Sequence, residues 1–127
     1  MNSKTLNKLV EFCRADINSI THNFKHFSFI LDKNKILSIG RNNPDKTHPL
    51  SYKYGYRFSC IHSELNVLVN FRYPHSYLQK CKLVNIRINS RAELRMSKPC
   101  NICVGLISAF GISEIIYSNR QGGFNVL

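Results

Sequence analysis

The chain is short of acidic residues, glycine and proline, and it has no long apolar run. Seven Asp and Glu stand against eighteen Lys and Arg in 127 residues, a formal net charge of +11. That balance points to polyanionic partners such as nucleotides, RNA or DNA. The basic residues are scattered rather than bunched, so a solvated surface accounts for them about equally well. Six glycines and four prolines beside 43% hydrophobic residues exclude a disordered or low-complexity chain. They fit one domain with one core over residues 1–127. No apolar stretch is long enough to span a bilayer, so no membrane partner is expected. The start, MNSKTLNKLVEFCRAD, lacks the continuous apolar core and cleavage site of a signal peptide, which leads us to expect a cytoplasmic protein. The five cysteines are odd in number and their spacing suggests no disulfide framework. In a reducing compartment a close cysteine pair reads as metal ligands or a redox group.

Hydrophobic spacing supplies the element order. Leu6, Leu9, Val10, Cys13, Ile17, Ile20 and Phe24 fall mostly three or four apart, which predicts a helix over 4–24 capped by Ser3. Phe27 to Leu31 and Ile36 to Ile39 flank a turn at 32–35 and predict a hairpin. Residues 40–58 read as a long loop, of a length that often carries function. A second helix is expected over about 61–72, ending before Pro74. Leu83 to Ile88 predicts a strand and 89–98 a connector. A third helix starts near Cys100 after Pro99 and stops at Gly111, before a strand over 112–117. Strand–helix–strand alternation late in the chain predicts an α/β layered domain with some parallel pairing.

The chemistry sits at two predicted helix starts. "IHSE" brings His62 and Glu64, and "SKPCNIC" brings Cys100 and Cys103. One imidazole and two thiols form a donor set suited to zinc, and three ligands leave one tetrahedral position open, as in catalytic sites. Both helix N-termini put positive dipole ends beside the cysteines and favour thiolates. Glu64 need not be a ligand; two residues from His62, it is placed to move protons of a water at the metal. A lone H-x-E is common by chance, and a lone C-x-x-C serves redox or four-ligand zinc sites equally well. Their combination, with proline directly before Cys100, is much more specific. It is the pattern shared by zinc nucleobase deaminases.

On His62-Ser63-Glu64 and Pro99-Cys100-Asn101-Ile102-Cys103, with "IHSELNVL" and "FGISEIIYSN" around them, the chain resembles the cytidine and deoxycytidylate deaminase superfamily from Phe27 to about Asn119. The closest motif likeness is to deoxycytidylate deaminases. The resemblance implies a three-layer α/β fold, with a central mixed sheet of about five strands and helices on both faces. It implies Zn2+ held by His62, Cys100 and Cys103, with Glu64 as the catalytic proton carrier. It also implies a zinc-dependent hydrolase that turns cytosine into uracil and releases ammonia. Ser63 and Pro99 are then expected at the base, Ser63 through its backbone N–H. Asn42 is expected at the sugar with Asn43 as its competitor, although ordinary turn chemistry accounts for both. Ser63 stands where the family usually has Ala, Lys98 where Ser or Glu is common, and the 89–98 connector looks long. These departures bear on substrate contacts more than on the metal chemistry.

The substrate divides the readings. Asn66 and the Gly40-x-Asn42 setting favour a cytidine or deoxycytidine nucleotide. The charge, and Tyr52, Tyr54, Tyr56 and Phe58 interleaved with Lys53 and Arg57, favour cytosine, or adenine, in single-stranded DNA or RNA. Arg41 and Lys98 are candidate contacts in either case. A zinc-stabilised nucleic-acid-binding module without turnover is the third reading, and an intact Glu64 argues against it. Family members commonly form homo-oligomers, so a second copy is also an expected partner.

Overall fold

The computed structural model describes residues 2–56 and 61–127. Arg57 and Phe58 of the aromatic-basic stretch lie outside the described residues. Chain order among the described residues is α1 (Ser3–Ala15), β1 (Lys25–Asp32), β2 (Lys35–Arg41), α2 (Pro49–Lys53), α3 (Ser63–Val69), β3 (Lys82–Ile88), β4 (Leu94–Arg95), α4 (Asn101–Ala109), β5 (Glu114–Ser118) and β6 (Phe124–Val126). Short 3-10 turns add Ile17–Ser19 and His75–Lys80. The architecture is mixed α/β, as the resemblance implies, with one more strand than expected.

The sheet runs β2-β1-β3-β5-β6. β1 and β2 form an antiparallel hairpin closed at Asp32 and Lys35, with Lys33 at φ 55° in the tight turn. β1 pairs antiparallel with β3 along its whole length. β3 and β5 are parallel, joined by the crossover that carries α4, and their pairing covers 82–85 of β3. Beyond Asn85, β4 takes over as the partner of β3, setting Arg95 opposite Arg87.

Strand alternation sorts the side chains into two apolar clusters. Phe27, Phe29, Leu31, Val84, Ile86 and Ile88 pack with Leu9, Val10 and Cys13 of α1. Phe12 adds edge-on contacts to Phe27 and Phe29, with ring centroids 6.4 and 5.7 Å apart. On the other face Ile30, Leu83 and Ile115 pack with Leu65, Leu68, Leu106 and Ile107 of α3 and α4. Each such buried Leu or Ile contributes about 1.5–3 kcal/mol. β2 lies directly on α3: a Cβ at Gly40 would stand 2.3 Å from the Val67 backbone nitrogen, so only glycine allows this approach.

Several expected boundaries shift for local reasons. The first helix ends at Ala15, not 24, and its cap is Asn2, whose side chain accepts from the Thr5 N–H at 2.8 Å. The apolar stripe continues past the helix because the chain turns at Ile17–Ser19 and still buries Ile20, while Phe24 points outward. The loop over 40–58 contains the end of β2 and α2, which begins with Pro49 at its first turn and His48 as cap. The second helix starts at Ser63 and ends at Val69, and the side chain of its C-cap Asn70 donates to the Ile39 carbonyl at 3.0 Å. The 89–98 connector holds the two residues of β4.

Candidate active site

Both motif helices begin at a metal-ligand candidate. His62 is the N-cap of α3, and Cys100 is the N-cap of α4, its sulfur accepting from the Cys103 N–H at 3.5 Å. Pro99 fixes the backbone just ahead of that start and is buried. Cys103, one turn into α4, is fully buried. The three donor atoms, one from each of His62, Cys100 and Cys103, lie within 4.8 Å of one another. His62 Nδ1 is the nitrogen that faces them, 3.4 Å from Cys103 Sγ. A tetrahedron with zinc–ligand bonds of about 2.0–2.3 Å has edges of roughly 3.3–3.8 Å, and the 3.4 Å between His62 Nδ1 and Cys103 Sγ falls in that range.

The three groups are mutually hydrogen-bonded, which shifts their titration. Hydrogen bonds from Cys103 and His62 pull the Cys100 thiol down to about 4. The bond to Cys100, and then burial, push Cys103 up, and a separate bond from His62 to Cys100 raises His62. A thiolate beside two proton donors is a site where a divalent cation can displace protons. The buried Tyr56 hydroxyl is hydrogen-bonded to Cys103 Sγ at 2.9 Å, and its ring lies 4.7 Å from the His62 ring. Burial raises its phenol well above the usual range, so Tyr56 is a neutral outer neighbour of the cysteine.

Glu64 is 6% exposed and sits in the first turn of α3. Its two oxygens have separate partners: Asn85 Nδ2 donates to Oε2 at 2.9 Å and Ser63 Oγ to Oε1 at 3.2 Å. Asn85 is itself held from both ends. Ser28 Oγ donates to Asn85 Oδ1 at 2.6 Å and touches Ser63 Oγ at 2.8 Å. Asn85 Nδ2 also donates to the Ser97 carbonyl at 3.2 Å, and Ser97 Oγ donates to the Asn85 carbonyl at 2.9 Å. Ser97 and Ser118 bond to each other at 2.8 Å, and Ser118 Oγ donates to the Arg95 carbonyl at 2.7 Å. This buried network ties the segment leading to Cys100 onto β3 and β5.

Ser28, Asn85, Ser97 and Ser118 were not singled out from the sequence. For Ser28, Asn85 and Ser118 the signal is a polar residue inside an apolar strand, as in "FSFIL" and "LVNIRI", informative only once both faces of the strand are known to be buried; Ser97 lies in the loop before α4 and has no such signal.

A pocket of about 350 Å3 opens over the site. It is lined by His62, Ser63, Glu64 and Cys100, together with His26, Asn42 and Lys98. Asn42 uses its amide on the β1 backbone, accepting from the His26 N–H at 2.9 Å and donating to the Phe24 carbonyl at 2.9 Å. Asn43 lies outside this pocket: its backbone bridges Ile61 and its side chain accepts from Asp45 N–H. Arg41 is turned away, ion-paired to Asp16 at 2.6 Å. Asn66 accepts from the Arg41 N–H at 2.9 Å, and so ties α3 to β2. Tyr54 packs on Phe110 and Tyr52 is exposed, so the aromatic residues of 52–56 face three different surroundings. His26 is half-buried and its pKa is lowered to about 4, by desolvation first and by the nearby Arg87 second. It is therefore a neutral imidazole in the pocket wall.

Comparisons with known proteins agree with this geometry. The family model described as "Cytidine and deoxycytidylate deaminase zinc-binding region" matches residues 4–119. Among solved structures, the chain is similar to a dCMP deaminase from the cyanophage S-TIM5, solved in complex with dCMP and dUMP. The TM-score is 0.57 at 15% identity, covering 92% of this chain and 82% of that one. No curated protein matches the chain.

Proposed function

The chain belongs to the cytidine and deoxycytidylate deaminase zinc-binding family, and from that premise we propose that it hydrolyses the exocyclic amino group of a cytosine base carried on a cytidine or deoxycytidine nucleotide. The products are uracil and ammonia. The observation that carries the proposal is that Glu64 and two of the zinc-donor candidates, His62 and Cys100, line one pocket sized for a small ligand, with Cys103 buried behind them.

Zinc, held by His62, Cys100 and Cys103, would supply the Lewis acidity that makes water nucleophilic near neutral pH. Glu64 takes a proton from the attacking water and passes it to the ring nitrogen as the oxygen bonds to C4. It then shuttles the second proton to the amino group, the C4–N bond breaks and ammonia leaves. Asn85 and Ser63, by holding one oxygen each, fix the plane of the Glu64 carboxylate and limit its swing. Ser63 begins α3, so its N–H has no intrahelical acceptor and is available to the base carbonyl. Asn42 keeps one donor hydrogen and one lone pair for the sugar after serving the backbone. Pro99 is not among the pocket-lining residues and acts by fixing the backbone ahead of Cys100, while Lys98, which lines the pocket, meets a phosphate. The dCMP and dUMP bound by the cyanophage enzyme support a mononucleotide as the substrate.

Purified protein incubated with free cytidine and deoxycytidine nucleotides should yield uracil products and ammonia. Turnover confined to cytosines within single-stranded oligonucleotides would move the substrate assignment to the polynucleotide. Zinc-bound protein that converts neither would leave only a binding module. One feature favours the polynucleotide as a second reading: a set of arginines that continues outward from the pocket.

A further inference from the structure

The pocket does not end at Phe24. That half-exposed ring lines the active-site pocket on one side and, on the other, a surface depression that includes Arg87 and Arg95. The Arg87 guanidinium lies over the ring, 4.6 Å from its centroid. Arg87 and Arg95 also line the next depression, with Met96 and Arg120. The three concavities thus run together at the end of the sheet where β3 and β5 finish, the edge at which α/β sheets bind ligands.

The charges in this strip are arranged at a cost. Arg87 and Arg95 are direct cross-strand partners of β3 and β4, and like charges placed opposite are destabilising. Partial burial, and then Arg95 and Arg120, lower the Arg87 guanidinium below its usual range. Glu93 reaches Arg95 at 3.5 Å, but among the described residues no carboxylate pairs with Arg87 or Arg120. Three guanidinium groups gathered with so little counter-charge are relieved by a bound anion, and their planar forks suit phosphate. The strip joins the active-site pocket at Phe24 and extends past it through two further concavities.

We propose that Phe24, Arg87, Arg95 and Arg120 form a track for a single-stranded polynucleotide, in which the arginines hold backbone phosphates and Phe24 stacks the base next to the one in the pocket. The proposal rests on the pocket being the site of base chemistry, and it extends the substrate from one nucleotide to a strand. Aromatic stacking with phosphate neutralisation is the usual means of binding single strands without reading sequence.

The test is binding, read without turnover. Fluorescence anisotropy of a short labelled oligothymidine, which carries no cytosine, is titrated with wild-type protein, with R120A, with R95A/R120A, and with K4A/K8A. The last pair removes the same charge from the exposed surface of α1. Wild type is expected to bind. R95A/R120A should lose about tenfold in affinity, and the slope of log affinity against log salt should flatten by about 0.7 per arginine removed. R120A, an exposed substitution, should show a smaller loss in the same direction, and K4A/K8A should bind within about twofold of wild type. Equal losses in the arginine and lysine pairs would mean net charge alone, and overturn the track. So would an absence of oligothymidine binding, or arginine variants that bind as wild type. Because no product is measured, a failed deaminase reading leaves this outcome legible, and mononucleotide turnover without strand binding refutes the track alone.

Discussion

Against α1, β1 presents Phe27, Phe29 and Leu31, and β3 presents Val84, Ile86 and Ile88, all buried and all apolar. The opposite face of the same two strands presents Ser28 and Asn85 at one end, with Ile30 and Leu83 at the other. Both faces are covered by helices, so exposure does not separate them. What separates them is that one face is packed throughout, while the other gives up apolar packing where α3 and α4 begin and replaces it with a connected set of hydrogen bonds. The polar end lies under Glu64 and the segment leading to Cys100. Close packing therefore maintains the fold on one side, and satisfied polarity orients the chemistry on the other.

Two buried cysteines give the largest contrast. Burial pushes the Cys13 thiol up on the α1 face, where it is a small apolar group. Cys103 is as buried but stands beside His62 and Cys100. Cys103→Ala is expected to abolish stoichiometric zinc and with it turnover. Cys13→Ala should keep both and cost only about 1 kcal/mol in a denaturant titration. Metal analysis of the two purified variants decides this, and zinc loss from the Cys13 variant would break the contrast.

Adjacent residues of β3 sharpen it further. Ile86→Ala opens a cavity against α1 and should cost about 2–5 kcal/mol, with turnover per folded molecule unchanged. Asn85→Ala, one residue away and facing Glu64, should cost about 1–3 kcal/mol and lower kcat by roughly 10–100-fold while zinc stays bound. If Asn85→Ala kept its kcat, or if Ile86→Ala lost it in folded protein, the two faces would not divide labour in this way.

The smallest effect concerns acid. His26 is lowered from 6.5 to about 4 by burial, so the unfolded chain binds more protons than the folded one between those values. Its contribution is neutral above the upper pKa and becomes a loss of stability as pH falls through the window. The loss is complete below about 4, where both states are protonated, and amounts to roughly 1–3 kcal/mol. Urea midpoints of wild type and His26→Gln, compared from pH 7 to 4, should diverge, with the variant less acid-sensitive. Parallel curves would remove His26 from the account.

The difference between the faces also explains what was legible in the sequence. The α1 face announces itself through period-two strands and the spacing of Leu6, Leu9, Val10 and Cys13, so the hairpin, β3 and the start of α1 are readable. The helix was expected to run too far because Ile20 is buried by a turn that happens to continue the spacing. β4 and β6 are two and three residues long and carry no period to detect. His62, Cys100 and Cys103 are readable because a candidate zinc site needs particular atoms at particular helix starts, and Glu64 because it stands two residues from one of them. Ser28, Asn85, Ser97 and Ser118 are not, because a serine or asparagine in a strand or loop is ordinary until its neighbours across three strands are known. Arg41 and Asn66 looked like substrate contacts, yet Arg41 is paired to Asp16, and Asn66 holds the Arg41 backbone. In both cases the site's architecture claims a residue that its motif offered to the substrate.

The central claim is that the polar end of the second face separates metal holding from proton transfer. It is tested by measuring zinc content and uracil formation side by side in wild type and Glu64→Ala. The account predicts equal zinc in the two proteins, with uracil formation lost in the variant. A Glu64→Ala protein that still forms uracil at near wild-type rate, or that no longer holds zinc, would contradict it.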